Sequence, residues 1–155
     1  MQQRLDYKTL APDAFKAMLG VEMYVHKSGL ENSLLELVKT RASQINHCAW
    51  CLDMHTKDAR ALGETEQRLY LVSAWREAHC YTDRERAALA LTEAVTEIAG
   101  HGVPDAVYDE VRRHFSEKET VDLLVAIIAI NGWNRLNVTL QTTVGDYVSP
   151  HKARS

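Results

Sequence analysis

The chain has 155 residues, of which 46% are hydrophobic and 25% charged, and a net charge of −3. That length fits one domain with a single core, and the composition is ordinary for a globular protein. The charge gives no basic surface for nucleic acid or an anionic membrane, and the N-terminal MQQRLDYKTLAPDAF lacks the apolar centre of a signal peptide. The longest apolar run, residues 123–130, falls far short of a membrane span. The expected setting is the cytoplasm, where thiols are kept reduced.

Glycine and proline are sparse, at seven and three. Apolar residues recur at helical spacing, with no alternating strand pattern. The expectation is an all-α, single compact multi-helix domain over residues 1–155, with its core at about 13–144 and loose termini. A first helix covers 13–26 and closes before Gly29, which suits a C-terminal cap. A second covers 31–45, with Leu30, Leu34, Val38, Ala42 and Ile45 as its apolar stripe. Asn46 and His47 break the pattern. A third helix starts near Cys48 and runs to Leu62, with Gly63 closing it, and a fourth covers 65–77.

TDRE at 82–85 and SEKE at 116–119 each fit a capping box. They open helices over 83–99 and 117–141, and between them Pro104 suits the first turn of a short helix to His114. The segment after Gly145 reads as a loose tail. From Val121 to Ile130 the last helix is apolar almost all round, Asp122 excepted. Such a helix is buried on every side, within the domain or between subunits, so a homo-oligomer is expected.

NHCAWCLDMH, residues 46–55, holds two of the three cysteines and two of the seven histidines. At 100° per residue, Cys48, Cys51 and His55 share the inward face of the third helix, and Trp50 lies opposite, on a surface or subunit contact. Cys48 and Cys51 are spaced to close a disulfide. The helix N-terminus favours a thiolate, most of all at Cys48, while the i, i+4 contact with His55 favours activating Cys51. A second thiol one turn away can then resolve an oxidised first one, which outlines a dithiol peroxidase or disulfide reductase.

Two other readings remain. Free cysteines often fill cores. Cys48, Cys51, His55 and His47 could bind a metal, but structural zinc sites draw ligand pairs from separate segments, and no second such pair exists. No metal and no cofactor are therefore expected. Cys80 stands apart as a half-buried thiol, and His101, Trp133 and Asn134 have no assigned role. Glu36 is open to two readings as well. Periodicity makes it a solvated residue near Lys39, opposite the stripe. If the second and third helices form a hairpin, however, Glu36 and His55 lie within about one turn of the same level, where a carboxylate would orient the imidazole.

The stretch ELVKTRASQINHCAWCLDMHTKDARALGE, residues 36–64, resembles the alkylhydroperoxidase D-like proteins of the carboxymuconolactone decarboxylase superfamily. The pattern is Glu36, then Cys48 and Cys51, then His55. WREAHCYTDRERAALALTEAVT and INGWNRLNV extend the similarity to most of 31–138. The resemblance implies an all-helical fold assembled as trimers or hexamers. It implies reduction of a hydroperoxide substrate, with Cys51 as the peroxidatic nucleophile, Cys48 as the resolving thiol, and Glu36 and His55 as a proton relay. A dithiol donor, lipoyl or thioredoxin-like, would restore the pair. Trp50 stands where the best-known members carry a histidine. The alternatives are a gamma-carboxymuconolactone decarboxylase, which does not need two thiols, and a non-enzymatic redox-sensing or metal-binding oligomer.

Overall fold

The computed structural model describes residues 2–151. Among these lie nine α-helices, one 3-10 turn and no strand. The helices are α1 (Tyr7–Leu10), α2 (Pro12–Lys27), α3 (Asn32–Ile45), α4 (Ala49–Ala61), α5 (Glu66–Leu71), α6 (Asp83–Thr96), α7 (Ile98–His101), α8 (Asp105–His114) and α9 (Glu117–Leu140). The architecture is the expected all-α one, and both capping boxes form, at Thr82 with Glu85 and at Ser116 with Glu119.

α3 runs through the middle of the bundle, packed against α4, α6 and α9. Residues 34–40 are buried without a break. A helix enclosed this way has no solvent face, so the stripe at Leu34 and Val38 marks only one of its buried sides. The polar residues on its other sides are carried inward. Glu36 is 5% exposed and Lys39 1%. The solvated reading of Glu36 is thereby corrected. Lys39 pairs there with Glu22 of α2, which offsets the cost of burying its ammonium group.

α9 packs against α2, α3, α4, α6 and α8. Its length and hydropathy alone would suit a membrane crossing, but its inner face is the domain core. Leu123, Ile127 and Ile130 are buried there, each stabilising the fold by roughly 1.5–3 kcal/mol. The helix is not buried on every side, however. Val121, Leu124 and Ile128 are exposed. Asp122, the one charge in the run, points inward instead. It accepts hydrogen bonds from Tyr24 Oη at 2.7 Å and Lys118 Nζ at 2.6 Å, which offset its burial.

Two boundaries and both ends differ from expectation. The helix expected over 65–77 is α5 followed by a 3-10 turn, Val72–Ala74. Arg86 draws off the next carbonyls, donating to those of Trp75, Arg76 and Ala78, so the helix does not continue. The helix expected to reach 99 ends at Thr96, and α7 is a separate turn. Neither end is loose within the described residues. Arg4 N–H donates to the Leu140 carbonyl at 2.9 Å. Tyr147 Oη donates to the Asp58 carboxylate at 2.9 Å, and Lys57 Nζ donates to the Tyr147 carbonyl at 2.9 Å. Residues 152–155 of the expected tail lie outside the described residues.

Candidate active site

The end of α3 and the start of α4 form one continuous turn. Asn46 caps α3, and His47 takes a left-handed conformation at φ 54°. Cys48 N–H donates to the Ser43 carbonyl at 2.9 Å and His47 N–H to that of Gln44 at 3.2 Å. These are the paired bonds of a Schellman closure. Cys48 is at once the last residue of that closure and the N-cap of α4, its sulfur accepting from Cys51 N–H at 3.4 Å. The thiols therefore sit where a helix end leaves donors free. Gly63, at φ +100°, closes α4 in a conformation that other residues adopt only under strain.

Both cysteines are free and buried, with their sulfurs 2.7 Å apart. They pack with Ala42 of α3 and Ile130 of α9, with Trp50 and Trp133 at the edge. Trp50 thus belongs to the thiol site, correcting its expected place on the opposite face. Ring orientation explains this. Trp50 folds over the start of α4 and meets Tyr147 edge-on, with ring centroids 6.2 Å apart.

The two thiols share a hydrogen bond, and a proton held on Cys51 favours the Cys48 thiolate. Burial opposes ionisation, but backbone N–H groups of Cys51 and Trp50 and the Asn134 amide add to the pull, and Cys48 falls to about 7. Cys51 is pushed up because it donates to Cys48 and is buried, with Asn137 and Asn134 opposing. The pair titrates as a unit. Once singly ionised, it rests with the charge on Cys48 and the shared proton on Cys51.

His55 faces the same cavity as Cys51, but no hydrogen bond joins them. The expected direct i, i+4 activation is not made. The imidazole instead turns Nδ1 to Glu36 Oε2, at 2.8 Å. Burial would raise the Glu36 carboxyl. The charge and hydrogen bond of His55, with Lys39 beyond, outweigh burial and hold it below its ordinary value. His55 Nε2 has no partner among the described residues and is reached from the cavity.

That cavity is about 360 Å³, with Glu36, Cys51 and His55 in its wall. Tyr7, Phe15, Trp50, Trp133 and Tyr147 line much of the rest. Among the described residues, the side chains grouped closely enough to hold a cation are Glu36, His55 and Asp58, their ligand atoms within 4.8 Å of one another. The thiols and His47 do not join them. All three are already hydrogen-bonded, Asp58 to Tyr147. Cys80 lies in a different cluster, with Leu37, Val72, Trp75, Tyr81 and Leu89, and His101 is exposed in α7.

Asn137 is a site residue that sequence reasoning passed over. Its Oδ1 accepts from Tyr7 Oη at 3.3 Å and Thr142 Oγ1 at 2.8 Å. The amide orientation is thereby fixed, and Nδ2 donates to the Cys51 sulfur at 3.4 Å. Asn134 is held just as firmly, accepting from Asn46 Nδ2 at 2.9 Å and donating to Ser43 Oγ at 3.0 Å. The available signal was three asparagines, Asn131, Asn134 and Asn137, at helical spacing directly after the apolar run of α9. A buried amide needs partners.

Residues 11–94 match the Carboxymuconolactone decarboxylase family, and the chain belongs to that family. The match spans α2 to α6 and so includes the two thiols, Glu36 and His55. The chain is 46% identical over 140 residues to the uncharacterized protein YdfG of Bacillus subtilis, covering 90% of this chain and 95% of that one. It is also 46% identical to a protein of unknown function from Agrobacterium tumefaciens, whose structure carries the suggestion of an antioxidant defence protein AhpD. Their structures agree with a TM-score of 0.91 over 94% of this chain and 100% of that one. The fold is accordingly the AhpD-like one. The debrominase Bmp8 shares the fold alone, at 20% identity and a TM-score of 0.78 over 87% of this chain and 73% of that one.

Proposed function

We propose that the protein is a thiol-dependent hydroperoxide reductase. The observation that carries this reading is a reduced thiol pair, 2.7 Å apart, one of whose sulfurs lines an aromatic cavity beside a buried Glu36–His55 pair. The Cys48 thiolate takes the proton of Cys51 across their short contact. The Cys51 thiolate so formed attacks the distal oxygen of ROOH, the O–O bond breaks, and RO⁻ leaves. The imidazolium form of His55, its Nδ1–H held by Glu36, gives its Nε2 proton to RO⁻ and regains one from solvent. Cys51 is left as a sulfenic acid. The sulfur of Cys48 then attacks that of Cys51. The Cys48 proton leaves with the hydroxyl as water, and a disulfide forms. An external dithiol restores the pair.

Each residue has one role in this scheme. Cys51 is the nucleophile. Cys48 is first its base and then its resolving partner. His55 and Glu36 handle the proton of the leaving alcohol. A reducing compartment such as the cytoplasm would keep the pair ready. Assembly belongs to the same proposal. Val121, Leu124 and Ile128 of α9 are exposed, as are Met23 and Tyr24 of α2, the helix packed against it, and a second copy would cover them.

The test is chemical trapping. Cys51→Ser is expected to consume no hydroperoxide. Cys48→Ser is expected to accumulate a sulfenic acid that dimedone labels at Cys51. Equal turnover by both variants would overturn the assigned roles. A decarboxylase reading has one observation in its favour, since Glu36 and His55 form an acid–base pair that makes no hydrogen bond to the thiols. Lactone decarboxylation surviving loss of both cysteines would establish it instead.

A further inference from the structure

The two sulfurs open onto different spaces. Cys51 lines the aromatic cavity of about 360 Å³. Cys48 lines a separate cleft of about 520 Å³ between the start of α4 and the end of α9, with His47, Asn137, Gln141 and Thr142 among its walls. Among the described residues, Trp50 alone borders both. The rim of the second cleft faces solvent, since His47, Ala49, Thr143 and Val144 are exposed.

Thiol–disulfide exchange proceeds by attack of a thiolate in line with the S–S bond. In the oxidised pair, the free side of each sulfur points away from the other. Cys51 borders the aromatic cavity, and Cys48 borders the open cleft. Resting on the function proposed above, we propose that the two half-reactions use opposite sides of the motif. The hydroperoxide reaches Cys51 through the aromatic cavity, and the electron donor reaches Cys48 through the open cleft, with Trp50 as the partition. The donor is a narrow, unhindered dithiol, because the Cys48 residue is only 1% exposed at the base of its cleft.

The step balances. A donor thiolate attacks the Cys48 sulfur and forms a mixed disulfide. The Cys48–Cys51 bond breaks, and Cys51 leaves as a thiolate, which the Asn137 amide at 3.4 Å receives. The donor's second thiol, deprotonated, then attacks the donor sulfur bound to Cys48. Cys48 leaves as a thiolate, and the donor closes to its own disulfide. Two electrons pass to the protein, and the two protons of the dithiol pass with them through solvent.

The experiment separates the half-reactions in the intact chain. Val144→Trp and Thr143→Trp place bulk at the exposed rim of the cleft, away from the core. The pair is oxidised with diamide, so the reductive test does not depend on peroxide chemistry. Reduction by dithiothreitol is followed as recovered thiols. Oxidation of the reduced protein by cumene hydroperoxide is timed separately. Both variants are expected to slow reduction by about tenfold or more and leave oxidation unchanged. Leu19→Trp, at the aromatic cavity, is expected to do the reverse. Reduction unchanged in both rim variants, or slowed only in step with oxidation, would overturn the two-sided route. Failure of cumene hydroperoxide to oxidise wild-type protein would count against the peroxidase reading alone.

Discussion

Two glutamates are buried among the described residues, and their surroundings differ in kind. Glu93 of α6 accepts from Arg41 Nε at 2.7 Å, from Trp75 Nε1 at 2.9 Å and from Arg76. Burial would raise its carboxyl, but these donors hold it below the ordinary range. Arginine does not titrate in any working range, so Glu93 is locked. Glu36 of α3 is also held down, but its chief partner is an imidazole that faces a cavity. A carboxylate held by permanent cations fixes helices together. One held by a titratable ring can pass the effect of a proton to whatever enters the cavity. Similar burial therefore marks structure in one place and chemistry in the other.

Variants at the two glutamates should separate most sharply. Glu93→Ala strands Arg41 and breaks a network joining α3, α6 and the turn after α5. It is expected to cost about 3 kcal/mol, a fall in Tm of roughly 6–12 °C by calorimetry, with the peroxidase rate per folded molecule unchanged. Glu36→Gln keeps shape and a hydrogen bond to His55 but loses the charge. It is expected to slow hydroperoxide reduction about 100-fold and to move Tm far less than Glu93→Ala. Reversal of the two outcomes would break the comparison.

Smaller effects sharpen it. Asn137→Leu removes the donor to the Cys51 sulfur and is expected to slow oxidation about tenfold, the worth of a hydrogen bond to a charged group, in stopped-flow single turnovers. In the wild type the reactive form is the ionised pair, so the oxidation rate should rise with pH through about 7, where Cys48 ionises. Asn134→Leu removes a contact that favours that ionisation, so the midpoint should move upward. Ile128→Glu puts charge on the exposed face of α9. It is expected to reduce the assembled mass in light scattering with no change at the site.

Part of this site was legible in the chain and part was not, for physical reasons. Cys48, Cys51 and His55 stand in one stretch, and helical geometry alone brings them to one side. The break at Asn46 and His47 was legible because a left-handed residue after a cap is a local feature. Glu36 was not legible from period, since amphipathic spacing assumes a solvent face and α3 has none. Hairpin geometry put it near the level of His55, and the family resemblance singled it out. Tyr7, Asn137 and Tyr147 reach the site through contacts that span most of the chain, and no local pattern encodes those. Trp50 was misplaced because a helical wheel fixes where Cβ points and says nothing about how far a large ring folds back. The run at 121–130 suits burial within the domain or between subunits; within the domain its charge lies inside and three of its apolar residues lie outside. Hydrogen-bond partners on α2 and in the first turn of α9 set that orientation.

The central claim is that Cys48 and Cys51 cycle between dithiol and disulfide when a hydroperoxide arrives. The most direct measurement is a free-thiol count on reduced protein before and after one equivalent of cumene hydroperoxide. The chain holds three cysteines. The account predicts a fall to one, with Cys80 the thiol left free. A count that stays at three would contradict it.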